Sequence, residues 1–304
     1  MLALVHLGAG IGNLVFATPL LIALRELNYD VDLRLSADYE GAADLFSGWD
    51  VVRRIITGGE AHRCAPGGYD AIVPAIPPFY WSRFRRFYPG FLFRPPDALF
   101  YENEQAYYLS FARALGYPSE RHPAYSLPIA PREFPGVTPD TIVLAPGCKT
   151  GEMAFKRWPW FSQLALMLDN VALVGTLDDV TQPGVPPLQF PSHVRDFIGR
   201  LSLRETAELM ASARLIIAND SGLAHVAAAV GVPTLILFGP TPDRTLGPMP
   251  RHVTALRSGL ACEPCWFGRR FENCHKQIDC LRQLTPERVA REALISIRPL
   301  ESTT

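Results

Sequence analysis

An α/β fold built as two domains with parallel sheets is predicted by three observations. Short β-type runs alternate with helical patterns along almost the whole chain, which places helices between parallel strands. The 304 residues suffice for two buried cores. Near the middle the alternation is interrupted by PAYSLPIAPREFPGVTPD at 123–140, whose proline density suits a linker. The expected domains are residues 1–135 and 136–304, two halves of about equal size with a cleft between them.

The elements follow in order. LALVHL (Leu2–Leu7) is the first strand, and the glycine turn GAGIGN leads to a helix that Thr18 caps and Pro19 opens, with Leu20, Leu21, Leu24 and Leu27 on one face. Residues 31–36, 51–56 and 71–76 read as the next strands. Residues 77–96, PPFYWSRFRRFYPGFLFRPP, break the pattern and form a loop or lid, and a helix covers 104–115. After the linker come a strand at 141–147, a helix at 161–168, a strand at 171–176, a helix at 203–212, a strand at 215–220, a helix at 221–230 and a strand at 234–240.

Composition narrows the function classes. With 48% hydrophobic and 19% charged residues and a formal net charge of -1, the chain is an ordinary globular protein and not a global nucleic-acid binder. The apolar start lacks a basic segment and is broken by His6, glycines and Asn13, so it reads as a buried strand rather than a secretion signal. No run approaches the ~18 apolar residues of a membrane span. Six cysteines are too few for a disulfide scaffold, and a cytoplasmic location is expected, with work at a membrane surface compatible with it.

GAGIGN places Gly8 and Gly10 as a dinucleotide fingerprint would, and Asp32 stands near the position of a ribose-binding carboxylate. The third glycine of that fingerprint is Asn13 here. An NAD-dependent oxidoreductase is therefore the third-ranked reading.

The second half carries a denser constellation. In LAPGCKTGEMAFKRWPWFSQLA at 144–165, Lys156 and Arg157 precede a helix start, an arrangement suited to phosphate. In ANDSGLAHVAAAVGVPTLILFGPT at 218–241, Asp220 and Ser221 cap a helix, Gly222 permits close backbone approach, and His225 lies one turn along the same face as Ser221. Each piece alone has an ordinary structural reading: a cap, a packed histidine, a solvated basic pair. Together, at strand ends of one α/β domain, they point to an anionic ligand.

These segments, with FIGRLSLRETAELMASARLIIANDSGLAH and the tail CHKQIDCLRQLTPERV, resemble the heptosyltransferases of glycosyltransferase family nine. The resemblance covers most of the chain and is strongest at 141–240. It implies a GT-B architecture of two Rossmann-like domains and an inverting, metal-independent transfer from a nucleotide sugar, ADP-heptose being favoured, to a glycan, glycolipid or protein acceptor. By similarity Lys156 meets the donor diphosphate, Arg157, Ser221, Gly222 and His225 line it, and Asp220 helps to position the donor. Gly12 and Asn13 face the acceptor.

The family usually has Asp, the general base, where this chain has Asn13. An amide can hold a hydroxyl but cannot take its proton at neutral pH. Three explanations stand: another group supplies the base (Asp38, Glu102, Glu104 or His6), Lys156 and the helix dipole carry the reaction through the leaving group, or the protein binds nucleotide sugar or glycan without catalysis.

In the segment 77–96, Trp81, Arg83, Arg85 and Arg86 alternate guanidinium groups with rings, which suits either an anionic, partly apolar acceptor or a lid packing its aromatics on the first domain. Cys262, Cys265, Cys274 and Cys280 form CxxC, eight residues, C, five residues, C, a set able to wrap a structural zinc or iron. The resemblance favours metal, since some family members that glycosylate proteins carry an iron held by cysteines. Two disulfides or free thiols are the alternatives, with His275 a substitute ligand.

Overall fold

A computed structural model describes residues 1–57, 68–84, 95–148, 156–181, 187–265, 274 and 278–297, with backbone alone at 83 and 84. The chain forms two compact units: Met1–Pro128 with Arg244–Met249, and Ile129–Asp243 with Pro250–Thr304.

The first unit runs β1 (Leu2–Leu7), α1 (Ile11–Phe16), α2 (Thr18–Glu26), β2 (Asp30–Leu35), a 3-10 stretch at Ala37–Phe46, β3 (Val52–Ile56), β4 (Ala71–Ala75), α3 (Trp81–Phe84), α4 (Asp97–Glu102) and α5 (Glu104–Ala114). Its sheet is parallel, in the order β3-β2-β1-β4. Strand β1 is buried from Ala3 to Leu7 because a parallel sheet is covered on both faces. The order reverses direction across β1, so the turn that leaves β1 opens at the crevice where such sheets bind ligands.

Asp32 lies mid-strand in β2, opposite Leu4, and is fully buried. Its carboxylate accepts from Arg53 Nε (2.8 Å) and Nη2 (2.6 Å), Arg54 Nη2 (2.9 Å) and the Tyr69 hydroxyl (2.9 Å). A buried charge needs such partners. They leave Asp32 no role at a ribose, which removes the carboxylate on which the oxidoreductase reading rests.

Two details depart from the pattern in the sequence, and a third selects between its alternatives. Thr18 is not the cap: Ala17 holds that place, while Thr18 is buried inside α2 with its hydroxyl donating to Val15 O (2.8 Å), because α1 ends immediately before it. Trp81 is packed, as the alternative of a lid resting its aromatics on the first domain expects, stacked on Phe111 with its indole N–H donating to the Tyr107 hydroxyl (3.1 Å). Finally, the proline-rich stretch changes units at Pro128. Tyr125 and Leu127 are buried and Ser126 N–H donates to Thr18 Oγ1 (3.1 Å), whereas Phe134 meets Phe197 edge-on (6.2 Å) in the second unit.

The second unit contains β5 (Ile142–Ala145), α6 (Phe161–Ala165), β6 (Val171–Leu173), α7 (Leu177–Val180), β7 (Arg195–Asp196), α8 (Leu203–Ala211), β8 (Leu215–Asn219), α9 (Gly222–Ala229), β9 (Thr234–Leu237), β10 (Val253–Leu256), α10 (Asp279–Arg282) and α11 (Pro286–Ser296). Its parallel sheet has the order β10-β9-β8-β5-β6-β7. Trp158, Phe161 of α6, Ile217 of β8 and Val289 of α11 share one core. Helix α8 begins with the reciprocal Ser202–Glu205 cap and α11 with Thr285 followed by Pro286, both legible from residue type. Among the described residues no helix is long and apolar enough to cross a membrane.

On β1, His6 sits beside Arg34 of β2 and bonds through Nε2 with Ser36 Oγ (3.2 Å). Burial, reinforced by the Arg34 charge, lowers its pKa to about 3. The unfolded chain holds that proton up to pH ~6.5, so the contribution of neutral His6 is complete above that pH and is lost as pH falls toward the folded value. Thermal melts should therefore decline between pH ~6.5 and ~4 more steeply for the wild type than for His6→Gln; superimposable pH profiles would refute this.

Candidate active site

In the second unit the site is assembled where β5 and β8 end. Asn219, the last residue of β8, is fully buried. Its amide donates to Pro146 O just beyond β5 (2.6 Å), and its Oδ1 accepts from Trp158 N–H (2.8 Å). Trp158 is itself sunk in the core and donates its indole N–H to Leu284 O (2.7 Å). These bonds fix the segment that carries Lys156. Sequence pattern marks neither Asn219 nor Trp158 as a site residue, though both stand inside the segments that carry the family resemblance.

Lys156 Nζ donates to Asp220 Oδ2 (2.8 Å). Asp220 also accepts from Thr241 Oγ1 (2.6 Å) and bonds through Oδ1 with His225 Nε2 (3.2 Å). Burial opposes ionisation of Asp220, but the Lys156 charge and the bonds from His225 and Lys156 outweigh it and hold the carboxyl well below the usual range. Asp220 is thus a buried anion whose lone pairs are taken by the protein, and it orients Lys156. Ser221 occupies the cap position of α9 without making a side-chain cap bond, contrary to the expectation that it caps, and both Ser221 and Gly222 are half-buried. The first N–H groups of α9 have no partner within the helix. Lys156 is thus bonded to the residue that immediately precedes Ser221 and the start of α9, an order of groups that suits an anion.

Arg157 faces elsewhere. Its guanidinium donates to the carbonyls of Asp178 (2.9 Å), Asp179 (3.0 Å) and Cys148 (3.3 Å), and Asp179 Oδ1 lies 3.9 Å away. It clamps the turn that follows β5, and a donor-binding role must share it with that task. Cys148 is buried, and burial raises its thiol pKa despite the adjacent Arg157.

In the first unit a Cβ on Gly8 would overlap Ser36 Oγ, so glycine is required there by packing. Ala9 takes φ +96°, a conformation that costs an L-residue about 1–2 kcal/mol. Gly12 and Asn13 stand half-buried in the first turn of α1, and Asn13 Nδ2 donates to Glu104 Oε1 at the start of α5. The Tyr108 hydroxyl, one turn along α5 and fully buried, lies against both; burial and then the Glu104 charge push its pKa well above the ordinary value. Asp38 and Glu102 are exposed. Of the arginines expected on the acceptor side, Arg83 is placed by its backbone in α3, while Arg85 and Arg86 lie outside the described residues.

Cys262, Cys265, Cys274 and Cys280 are thiols. Among the described residues no three His, Cys, Asp or Glu side chains are placed to hold an ion. His275 lies outside the described residues. Cys280 packs against Gly239, and burial, then the Glu263 charge, raises its thiol pKa to about 12, with Cys265 and Cys274 adding to the rise.

Comparison with known proteins adds a family. The model of glycosyltransferase family 9 (heptosyltransferase) matches residues 106–275. Lipooligosaccharide heptosyltransferase 2 of Haemophilus influenzae is 34% identical over 126 residues, covering 38% of this chain and 36% of that protein, so the match spans little more than a third of that curated relative. Escherichia coli ADP-heptose lipopolysaccharide heptosyltransferase II superposes over 98% of both chains with a TM-score of 0.72 at 20% identity. The dodecameric iron-containing heptosyltransferase TibC, solved with ADP-D-β-D-heptose, aligns over 98% of this chain and 76% of its own with a TM-score of 0.70 at 16% identity. These likenesses establish the fold, two parallel-sheet α/β domains of the GT-B type.

Asn219→Ala removes the partner of the Trp158 N–H and of the Pro146 carbonyl at a buried site. Denaturant unfolding should report a loss of about 2–4 kcal/mol; a loss below ~0.5 kcal/mol, the scale of a surface substitution, would deny Asn219 its bracing role.

Proposed function

The chain belongs to glycosyltransferase family 9, and on that premise we propose that it transfers a sugar from a nucleoside diphosphate, ADP-heptose first among candidates, to a glycan, glycolipid or protein acceptor with inversion at the anomeric carbon. The supporting observation is that Lys156 is held at 2.8 Å from Asp220, the residue directly before Ser221 and the start of α9. The names of the relatives add lipopolysaccharide and lipooligosaccharide as acceptor classes.

In this reading the diphosphate lies against Lys156 Nζ, the Ser221 hydroxyl and the N–H groups that open α9, beside Gly222 and His225. An acceptor oxygen bonds to the anomeric carbon as the carbon–oxygen bond to phosphate breaks, and the electron pair leaves on the nucleoside diphosphate. The charge that grows on the departing phosphate meets a cation and a dipole already in place. Asp220 keeps Lys156 extended and His225 steadies Asp220 from the other side. On the acceptor side the proposal assigns Gly12, Asn13, Arg83, Arg85 and Arg86, and it places the protein in the cytoplasm at the periphery of the inner membrane.

Release of ADP from ADP-heptose, followed by mass spectrometry with a lipooligosaccharide acceptor, tests this reading. Lys156→Met should lower kcat/KM by about 100- to 1,000-fold and weaken ADP binding. Wild-type protein whose melting temperature is unmoved by millimolar ADP, UDP and GDP would overturn the donor site.

A structural zinc or iron at the cysteine segment is a subordinate proposal, supported by the CxxC spacing and by the electrostatic reach of Cys265 and Cys274 upon Cys280. A metal would have to displace the Cys280 proton, which ligation by a thiolate does. Metal analysis of the purified protein should find one ion per chain that is lost in the Cys265→Ser, Cys280→Ser double variant; metal-free protein of unchanged stability would overturn it.

A further inference from the structure

We propose that Glu104, held in place by the side-chain amide of Asn13, is the catalytic base of the first unit and accepts the proton of the sugar acceptor's hydroxyl. The inference rests on the transferase reading and deepens it.

Four observations carry it. Asn13 follows the glycine turn that leaves β1, the strand at which the order of the sheet reverses, and this is where open parallel sheets present ligands. Asn13 Nδ2 donates to Glu104 Oε1, a bond between residues 91 positions apart in sequence. Glu104 keeps 8% of its surface exposed, little enough to strengthen its electrostatics and enough to meet a hydroxyl at the turn. The other candidates are less apt: Asp38 and Glu102 are exposed, and His6 bonds with Ser36 at a site where burial disfavours its protonated form.

The surroundings suit a base. Asn13 is neutral, so its hydrogen bond orients the carboxylate without adding a positive charge that would weaken its hold on a proton. Among the described groups, the Tyr108 phenol at i+4 on the same helix lies against it, with Tyr107 packed edge-on beside Tyr108. Asn103 caps α5 through Ala106 N–H (2.9 Å), and Gln105 donates to Leu246 O (2.9 Å) and Pro248 O (3.1 Å), so the residues on either side of Glu104 are pinned.

The step balances. Glu104 takes the hydroxyl proton as the acceptor oxygen bonds to the anomeric carbon. The nucleoside diphosphate departs with the electron pair of the broken bond, and the glutamic acid then returns its proton to water. The chain thereby carries its base on α5, and Asn13 is a positioning residue for it.

Glu104→Gln preserves shape and the bond to Asn13. Turnover of ADP-heptose should fall by about 100- to 10,000-fold, ADP binding should be retained, and the acidic limb of the kcat/KM–pH profile should vanish; Glu104→Asp should recover part of the rate with the limb restored. Asn13→Asp, which sets a second carboxylate against the first, should lower activity and move the acidic limb upward. If Glu104→Gln retains wild-type turnover with an unchanged profile, or if Asn13→Asp raises activity, the assignment is overturned while the transferase reading stands. Wild-type protein that binds ADP but turns over no donor sugar overturns both.

Discussion

The second unit depends on the burial of one carboxylate. Asp220 sits where water is excluded, and a charge placed there must be met by partners or lose its ionisation. Lys156, His225 and Thr241 supply them from three separate segments. The requirement runs both ways: the ammonium of Lys156 is held at the start of α9 only because the anion behind it is fixed. Asn219 adds the backbone side of the same arrangement by tying the ends of two strands to Trp158.

The first unit buries a carboxylate too, with a different outcome. Asp32 is neutralised by two guanidinium groups and a phenol in the middle of its strand. There it stiffens the sheet and meets no solvent. Position along the strand separates the two cases, because ligands reach a parallel sheet at the carboxyl ends of its strands. Asp220 follows the end of β8, whereas Asp32 lies opposite Leu4.

Much of the fold is legible in the sequence because local residue type decides it. LALVHL occupies β1 residue for residue, and the helix that follows NDS begins within a residue of its expected start. Short elements are less visible: β7 is two residues long, and α4 is six residues set directly before α5. At the site, Lys156 and Arg157 look equivalent in sequence, yet they are neighbours pointing to different partners, one to a carboxylate and the other to three carbonyls. Thr18 has the look of a cap from its place before Pro19, but its hydroxyl serves Val15 O inside a continuous pair of helices. The bond between Asn13 and Glu104 has no local signature, since it joins two helices distant in the chain.

The excursion at Arg244–Met249 has a consequence for dissecting the molecule. This short stretch lies late in the chain but belongs to the first unit, where Gly247, at φ +99°, brings the backbone against Asn103 and Gln105. The two carbonyls that receive the Gln105 amide come from it. A cut in the proline-rich stretch would consequently leave an amino-terminal fragment lacking one of its own parts, with the beginning of α5 stripped of its cover. The halves are interleaved in connectivity, and the polypeptide must be nearly finished before its first half can be whole.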